Sequence, residues 1–224
     1  MIHSSELAKI GLFKGLSSAE LGKLVSGVAP MRVLKGQTVM EKGDMSEDVF
    51  LVLNVRLVGV LISDEGKEVA YAEFRRSAHF GELAALDHGP RSLTVFAAEE
   101  SLVGRIAGPQ FLDWMAHFPR LARNLMVDLA TRNRRLNDRI FELVVHDVET
   151  RVKLLLVRLA MEADELHDGG LLDPAPTHSD IASHVGANRE AVSRVLARLT
   201  KTGIIESGRK RITLNSVDDL VEGL

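Results

Sequence analysis

The residues best suited to chemistry lie in Phe80-Gly81-Glu82-Leu83-Ala84-Ala85-Leu86 and, after Asp87-His88-Gly89, in Pro90-Arg91-Ser92-Leu93-Thr94-Val95. A glycine, a carboxylate and a guanidinium fall in one tight segment between apolar runs. Arg91 offers a planar fork of donors that suits a phosphate. Glu82 can accept from a sugar hydroxyl, and Gly81 lets the backbone approach a ligand closely. A short helix starting near Glu82 would aim its N–H groups and the positive end of its dipole at the same phosphate. Together these groups can satisfy one small anion that also carries a hydroxyl. A lone Glu and Arg would read as an ordinary ion pair on a strand–loop–strand surface; the ordered run from Phe80 to Val95 favours a ligand site.

The surrounding pattern would have to hold that segment in place. From about Gly36 to Ile106 the chain reads as short strands: Val49–Leu53, Leu57–Ile62, Glu68–Glu73, Leu93–Ala97 and Leu102–Ile106. Turn signals at Lys42-Gly43-Asp44, Asp64-Glu65-Gly66 and Gly89-Pro90 punctuate them, a spacing that predicts an antiparallel sandwich or barrel. Ahead of it, Leu7–Leu16 and Ser18–Val28 read as helices, with Ser18 as N-cap of the second. From about Pro119 to Val145 the period becomes helical for roughly seven turns. Ala122, Met126, Leu129, Asn133, Leu136, Ile140 and Leu143 recur by four and three, a heptad seam with one polar member. Such a seam most simply buries itself against a copy of itself, and a single core Asn can fix the register. Packing on the chain's own β domain is the alternative.

After Val145 a helix is expected from about Val148 to Leu166, followed by the loop His167-Asp168-Gly169-Gly170. Thr177, with Asp180 three residues on, marks the start of a short helix that stops at Gly186. Asn188 caps a further helix whose buried face is Val192, Val195, Leu196 and Leu199. Ile204–Glu206 and Arg211–Leu214 then read as a two-stranded hairpin around Ser207-Gly208-Arg209-Lys210. Helix, tight turn, helix and hairpin make a winged helix-turn-helix, whose second helix would lie in the major groove. Arg189, Glu190, Ser193 and Arg194 stand opposite the apolar stripe, and such side chains can bond guanine, cytosine or either. Thr177 and Ser179 are candidate contacts to backbone phosphate, which position rather than specify. Between Asn188 and Arg211 seven basic residues, Lys210 among them, face two acidic ones, a local excess of five positive charges. That is the footprint of phosphate contact, although a solvated amphipathic helix would also carry charge.

Composition narrows the classes. The chain has 224 residues, a formal net charge of −3 and no cysteine, which removes disulfides, thiolate metal sites and cysteine nucleophiles. No apolar run approaches the roughly 20 residues needed to span a bilayer. The N-terminus lacks a basic-then-apolar leader pattern, so a cytoplasmic location is expected. The eight histidines show no metal-site spacing, and no nucleophile elbow is present, so no enzyme is expected.

Gly81, Glu82, Leu83, Ala84, Arg91 and Ser92 resemble the phosphate-binding cassette of cyclic-nucleotide-binding domains. Nearly the whole chain is similar to the CRP/FNR family of bacterial transcription factors, most closely its cyclic AMP receptor branch. The likeness includes Gly11-Leu12-Phe13-Lys14-Gly15-Leu16 and the reader segment Val185-Gly186-Ala187-Asn188-Arg189-Glu190-Ala191-Val192-Ser193-Arg194. It implies an α+β chain: a jelly-roll-like β-roll over 1–117, a dimerisation helix over 118–145 and a winged helix over 146–224. It further implies a homodimer on a palindromic operator, with RNA polymerase as partner and cAMP or cGMP as allosteric ligand. Glu82 would take the ribose, Arg91 and Ser92 the cyclic phosphate, while Arg132, Leu136 and Asn137 would meet the base. Arg189, Glu190 and Arg194 match the branch's base-reading residues.

Three departures stand out. Leu136 and Asn137 replace a Thr-Ser pair, Ser193 is the residue of the FNR-like branch, and Val55-Arg56 stand where a strand-turn glycine is usual. His79 sits where heme-binding relatives carry an axial histidine. Those relatives also use a nearby cysteine and lack a cassette carboxylate, whereas Ser77 and Glu82 are found here.

Overall fold

The computed structural model describes residues 2–62 and 68–224, with the side chains of 62 and 68–71 left aside; the expected turn at Asp64-Glu65-Gly66 lies outside the described residues. Two compact units are formed, Met1–Asn133 and Arg134–Leu224.

The first unit opens with α1 (Ser4–Leu7), a 3-10 turn (Gly11–Phe13) and α2 (Ser18–Val25). Strands β1 (Ala29–Val33), β2 (Thr38–Met40), β3 (Val49–Val52), β4 (Arg56–Ile62), β5 (Glu68–Arg75) and β6 (His79–Phe80) follow, then α3 (Glu82–Asp87). Strands β7 (Thr94–Ala97) and β8 (Ser101–Ile106) precede α4 (Gly108–His117) and the start of α5 (Pro119–Val145). The strands form two antiparallel sheets, ordered β1-β8-β3-β6 and β2-β7-β4-β5. Strand β3 is buried at every position because its two faces meet different layers. Phe50 and Val52 join Val33, Leu57, Phe80 and Val95 between the sheets, while Val49 and Leu51 pack with Leu24, Phe111, Leu121 and Leu125 beneath the helices. Leu121 and Leu125 thus root the first turns of α5 in this unit, and Asn124 donates to the carbonyls of Leu12 and Lys14 at 2.9 Å each.

The N-terminal helices differ from expectation. Leu7, Ile10, Leu12 and Phe13 are all fully buried, and they point all round a single helix rather than along one stripe. Breaking Leu7–Leu16 into α1 and a 3-10 turn, with Gly15 at φ +81°, lets each of them reach the core. Ser17, not Ser18, caps α2, because Glu20 then stands at the third helical position and closes a reciprocal capping box. At the altered strand turn, Val55 takes φ +47°, a left-handed conformation that is strained for a β-branched residue.

The second unit contains α6 (Val148–Glu162), β9 (Gly170–Leu172), α7 (His178–Val185), α8 (Arg189–Lys201), β10 (Ile205–Gly208), β11 (Arg211–Leu214) and α9 (Val217–Val221). Val152, Leu156, Ile181, Val185, Val192, Leu196 and Leu214 make its core. Helix α6 ends earlier than expected, at Glu162. The expected hairpin forms as β10 and β11, and β9 adds a third strand on the other side of β11. Three residues are too short a run to display a strand period, so β9 left no signal in the sequence.

Candidate ligand cassette and groove-reading face

Gly81 at φ +86° is the N-cap of α3, a left-handed position where any side chain would be strained. A Cβ there would meet the Asp48 carbonyl at 2.7 Å and Arg91 Nη1 at 2.8 Å, so the backbone must stay bare. Glu82 opens α3 and is buried, at 2% exposure. Arg91, at 3%, is braced on every side: Nε donates to Ser46 Oγ at 3.0 Å, Nη1 to the Gly81 carbonyl and Nη2 to the Asp48 carbonyl, both at 2.8 Å. Its guanidinium also lies 5.8 Å from the centre of the Phe50 ring. Burial pushes Arg91 below its ordinary pKa, opposed by the charges of Asp48, Asp44, Glu82 and Glu47.

Glu82 and Arg91 do not pair with each other. The carboxylate meets Arg132 of α5 instead, with Nη1 2.9 Å from Oε1. The second oxygen, Oε2, is buried and has no hydrogen-bond partner among the described residues. An orphaned carboxylate oxygen costs free energy unless something supplies a donor, and a ligand hydroxyl is such a donor. Ala84 is on the buried side of α3, whereas Leu83 and Ser92 are exposed.

In the second unit, Thr177 and Asp180 close the expected capping box of α7, and Gly186 at φ +64° ends that helix. Asn188 Oδ1 accepts from Ala191 N at 2.8 Å and starts α8. Arg189, Glu190 and Arg194 are exposed on α8, opposite its buried stripe. A cleft of about 380 Å³ lies between the start of α8 and the wing, lined among others by Thr177, Ser179, Arg189 and Lys210.

Across residues 30–118 the chain matches the model of the cyclic nucleotide-binding domain, and across 150–222 that of the Crp-like helix-turn-helix domain. The chain belongs to the CRP/FNR family of transcription regulators. It is 27% identical over 215 residues, 96% of each chain, to the CRP-like cAMP-activated global transcriptional regulator of Mycobacterium tuberculosis. To the cyclic AMP receptor protein of Thermus thermophilus it is 28% identical over 201 residues, 88% of each. In fold it is similar to a CooA mutant from Carboxydothermus hydrogenoformans, with a TM-score of 0.77 at 21% identity, covering 99% of this chain and 95% of that one. This CRP/FNR-family regulator is therefore no enzyme; it carries a cyclic-nucleotide-binding domain and a DNA-binding helix-turn-helix. No helix among the described residues is long and apolar enough to cross a membrane.

Gly81, Glu82, Arg91 and Arg132 come together in the first unit, with Arg132 on the carboxylate rather than awaiting a base. Leu136 and Asn137 belong to the second unit, on an exposed stretch of α5. Ser193 is half-buried, its Oγ 2.8 Å from His178 Nδ1, and so differs from its exposed neighbours. The basic excess is smaller than its count: Arg198 pairs with Glu149 at 2.5 Å and Arg211 with Asp173 at 2.7 Å. Sequence reasoning missed Ser46, Asp48, Asp128 and His178, and weighed His79 only as a heme ligand. Only Asp128 carried a legible signal, standing one helical turn before Arg132.

Proposed function

We propose that the chain is a homodimeric, sequence-specific transcription regulator gated by a cyclic nucleotide, cAMP in preference to cGMP. The observation that carries this is the buried Glu82 Oε2, an acceptor with no hydrogen-bond partner among the described residues, in the same cassette as a buried, charged Arg91. A ribose hydroxyl would satisfy the first, and a cyclic phosphate would meet the second with help from Ser92 and the N–H groups of Leu83 and Ala84. The roll over 1–117 binds the ligand, the helix over 118–145 pairs two copies, and 146–224 reads the operator. Met126, Ile140, Phe141 and Val144, exposed by 60–79%, leave an apolar face along α5 that a second copy would cover. In the dimer two α8 helices would meet major grooves about 34 Å apart, on a palindrome whose half-sites are one turn apart. Arg189, Glu190, Ser193 and Arg194 then face base edges, while Thr177, Ser179, Asn188 and Lys210 lie towards the phosphates. RNA polymerase is the expected protein partner. Ligand occupancy would shift operator affinity by a coupling of about 1–3 kcal/mol.

Calorimetric titration with cAMP and with cGMP tests the ligand. Heat from cAMP that is abolished by Arg91→Ala supports the reading; no heat from either nucleotide overturns it. A second reading has its own observation: Arg132 already holds Glu82, and each nitrogen of Arg91 already has a protein acceptor. On that reading the roll is a scaffold or senses another small molecule, and equal operator affinity with and without nucleotide would select it.

A further inference from the structure

One guanidinium, that of Arg132, is ringed by acceptors. Nη1 reaches Glu82 Oε1 at 2.9 Å, and Nη2 reaches Asp128 Oδ2, one turn earlier on α5, at 2.7 Å. Nη2 also lies 3.3 Å from both Nε2 and the carbonyl oxygen of His79. His79 opens β6, two residues before the cassette glycine, and only 6% of it is exposed. Its Nε2 is 3.5 Å from Asp128 Oδ2, so Glu82, Asp128 and Arg132 are the charged groups that face the ring.

A guanidinium has donors only. A hydrogen bond from Nη2 to Nε2 requires the neutral imidazole with its proton on Nδ1. Burial, which pushes His79 below its ordinary pKa, favours the same form. A planar fork ion-paired with Asp128 and set against His79 on one arm directs the other towards Glu82 Oε1. Glu82 is then charge-compensated through one oxygen and keeps Oε2 free. An unheld Arg132 could straddle both carboxylate oxygens, as guanidinium forks commonly do.

We infer that His79 and Asp128 are positioning residues: they hold Arg132 on one oxygen of Glu82, reserving the other for a hydroxyl of the ligand. This rests on the cassette's reading as a cyclic-nucleotide site, and it makes His79 a determinant of whether the sugar hydroxyl is recognised.

The test compares cAMP with 2′-deoxy-cAMP, which lacks that hydroxyl, by calorimetry on the full chain. The parent is expected to prefer cAMP by about tenfold or more, the scale of one hydrogen bond to a buried charged acceptor. His79→Phe fills the space without an acceptor and should reduce the preference to about threefold or less, chiefly through weaker cAMP binding. His79→Gln, whose amide oxygen can accept from Arg132, should restore most of it. Asp128→Asn, on a half-exposed side chain, should lower the preference too, and serves where His79→Phe does not fold. A folded His79→Phe or Asp128→Asn chain with the parent's full preference overturns the inference alone. Absence of binding of either nucleotide by the parent overturns the cassette reading, and the inference with it.

Discussion

Arg91 Nη1 donates to the carbonyl of Gly81 at 2.8 Å, so the guanidinium proposed to take the phosphate also fixes the backbone immediately before Glu82. Ligand site and β-roll stability are coupled through this one side chain. Arg91→Ala should abolish nucleotide binding and also destabilise the first unit, because the Gly81 and Asp48 carbonyls lose their donors. Two such unsatisfied acceptors cost about 2–4 kcal/mol together, readable as a lower urea midpoint. Arg91→Lys keeps the charge but cannot span three acceptors, and should recover only part of the loss. Parent-like melting of Arg91→Ala would exclude the bracing role.

Val55, at φ +47° and 38% exposed, is strained and has little packing to lose. Val55→Gly should therefore raise stability by about 1 kcal/mol, even after the unfolded chain gains freedom. Thermal unfolding measures it, and a lower Tm for the glycine variant would contradict the strain.

His79 sets a pH limb. Its pKa in the fold lies below the ordinary value near 6.5, through burial first, with the Glu82 and Asp128 charges raising it and Arg132 lowering it. On acidification the unfolded chain takes its proton first, so below about pH 6.5 the unfolded state binds more protons and stability falls as pH drops towards the folded value. Above that window the residue adds no pH dependence. His79→Phe should flatten the limb, seen as a smaller difference in Tm between about pH 7.5 and about pH 5.5 than the parent shows. Parallel curves for the two chains would mean another group sets the limb.

Arg194 and Arg211 should behave differently on DNA. Arg194 is exposed on α8, and Arg194→Ala should cost about 1–3 kcal/mol and relax one position of each half-site. Arg211 is tied to Asp173 at 2.7 Å, so Arg211→Ala should leave sequence preference intact. Operator variants in a binding titration separate the two outcomes; uniform weakening by Arg194→Ala would make it a phosphate contact instead.

How much of this was legible follows from where each signal resides. Thr177 with Asp180, Gly186 and Asn188 are local punctuation, and the helix-turn-helix they delimit folds where they place it. The cassette residues are neighbours along the chain, so Gly81, Glu82 and Arg91 could be read together. Their partners could not: Ser46 and Asp48 are 45 and 43 residues from Arg91, and His79 is 53 from Arg132. Such pairings arise where loops, a strand and a helix are brought together by the tertiary fold, which one chain's periodicity does not encode. The N-terminal break arose because Leu7, Ile10, Leu12 and Phe13 all had to be buried, a tertiary demand that overrode a helical period. Likewise the basic surplus was visible as composition, while Glu149 and Asp173, which neutralise part of it, come from distant elements.

Strand β9 gives the hairpin a third rung, since Ile212 pairs with Leu172 and Leu214 with Gly170. A lone two-stranded ribbon is marginal in water, whereas three strands packed on an apolar core hold their shape. Arg209 and Lys210 thus ride on a stiff finger rather than a loose flap, and on the proposed reading little disorder would have to be quenched for them to meet a duplex.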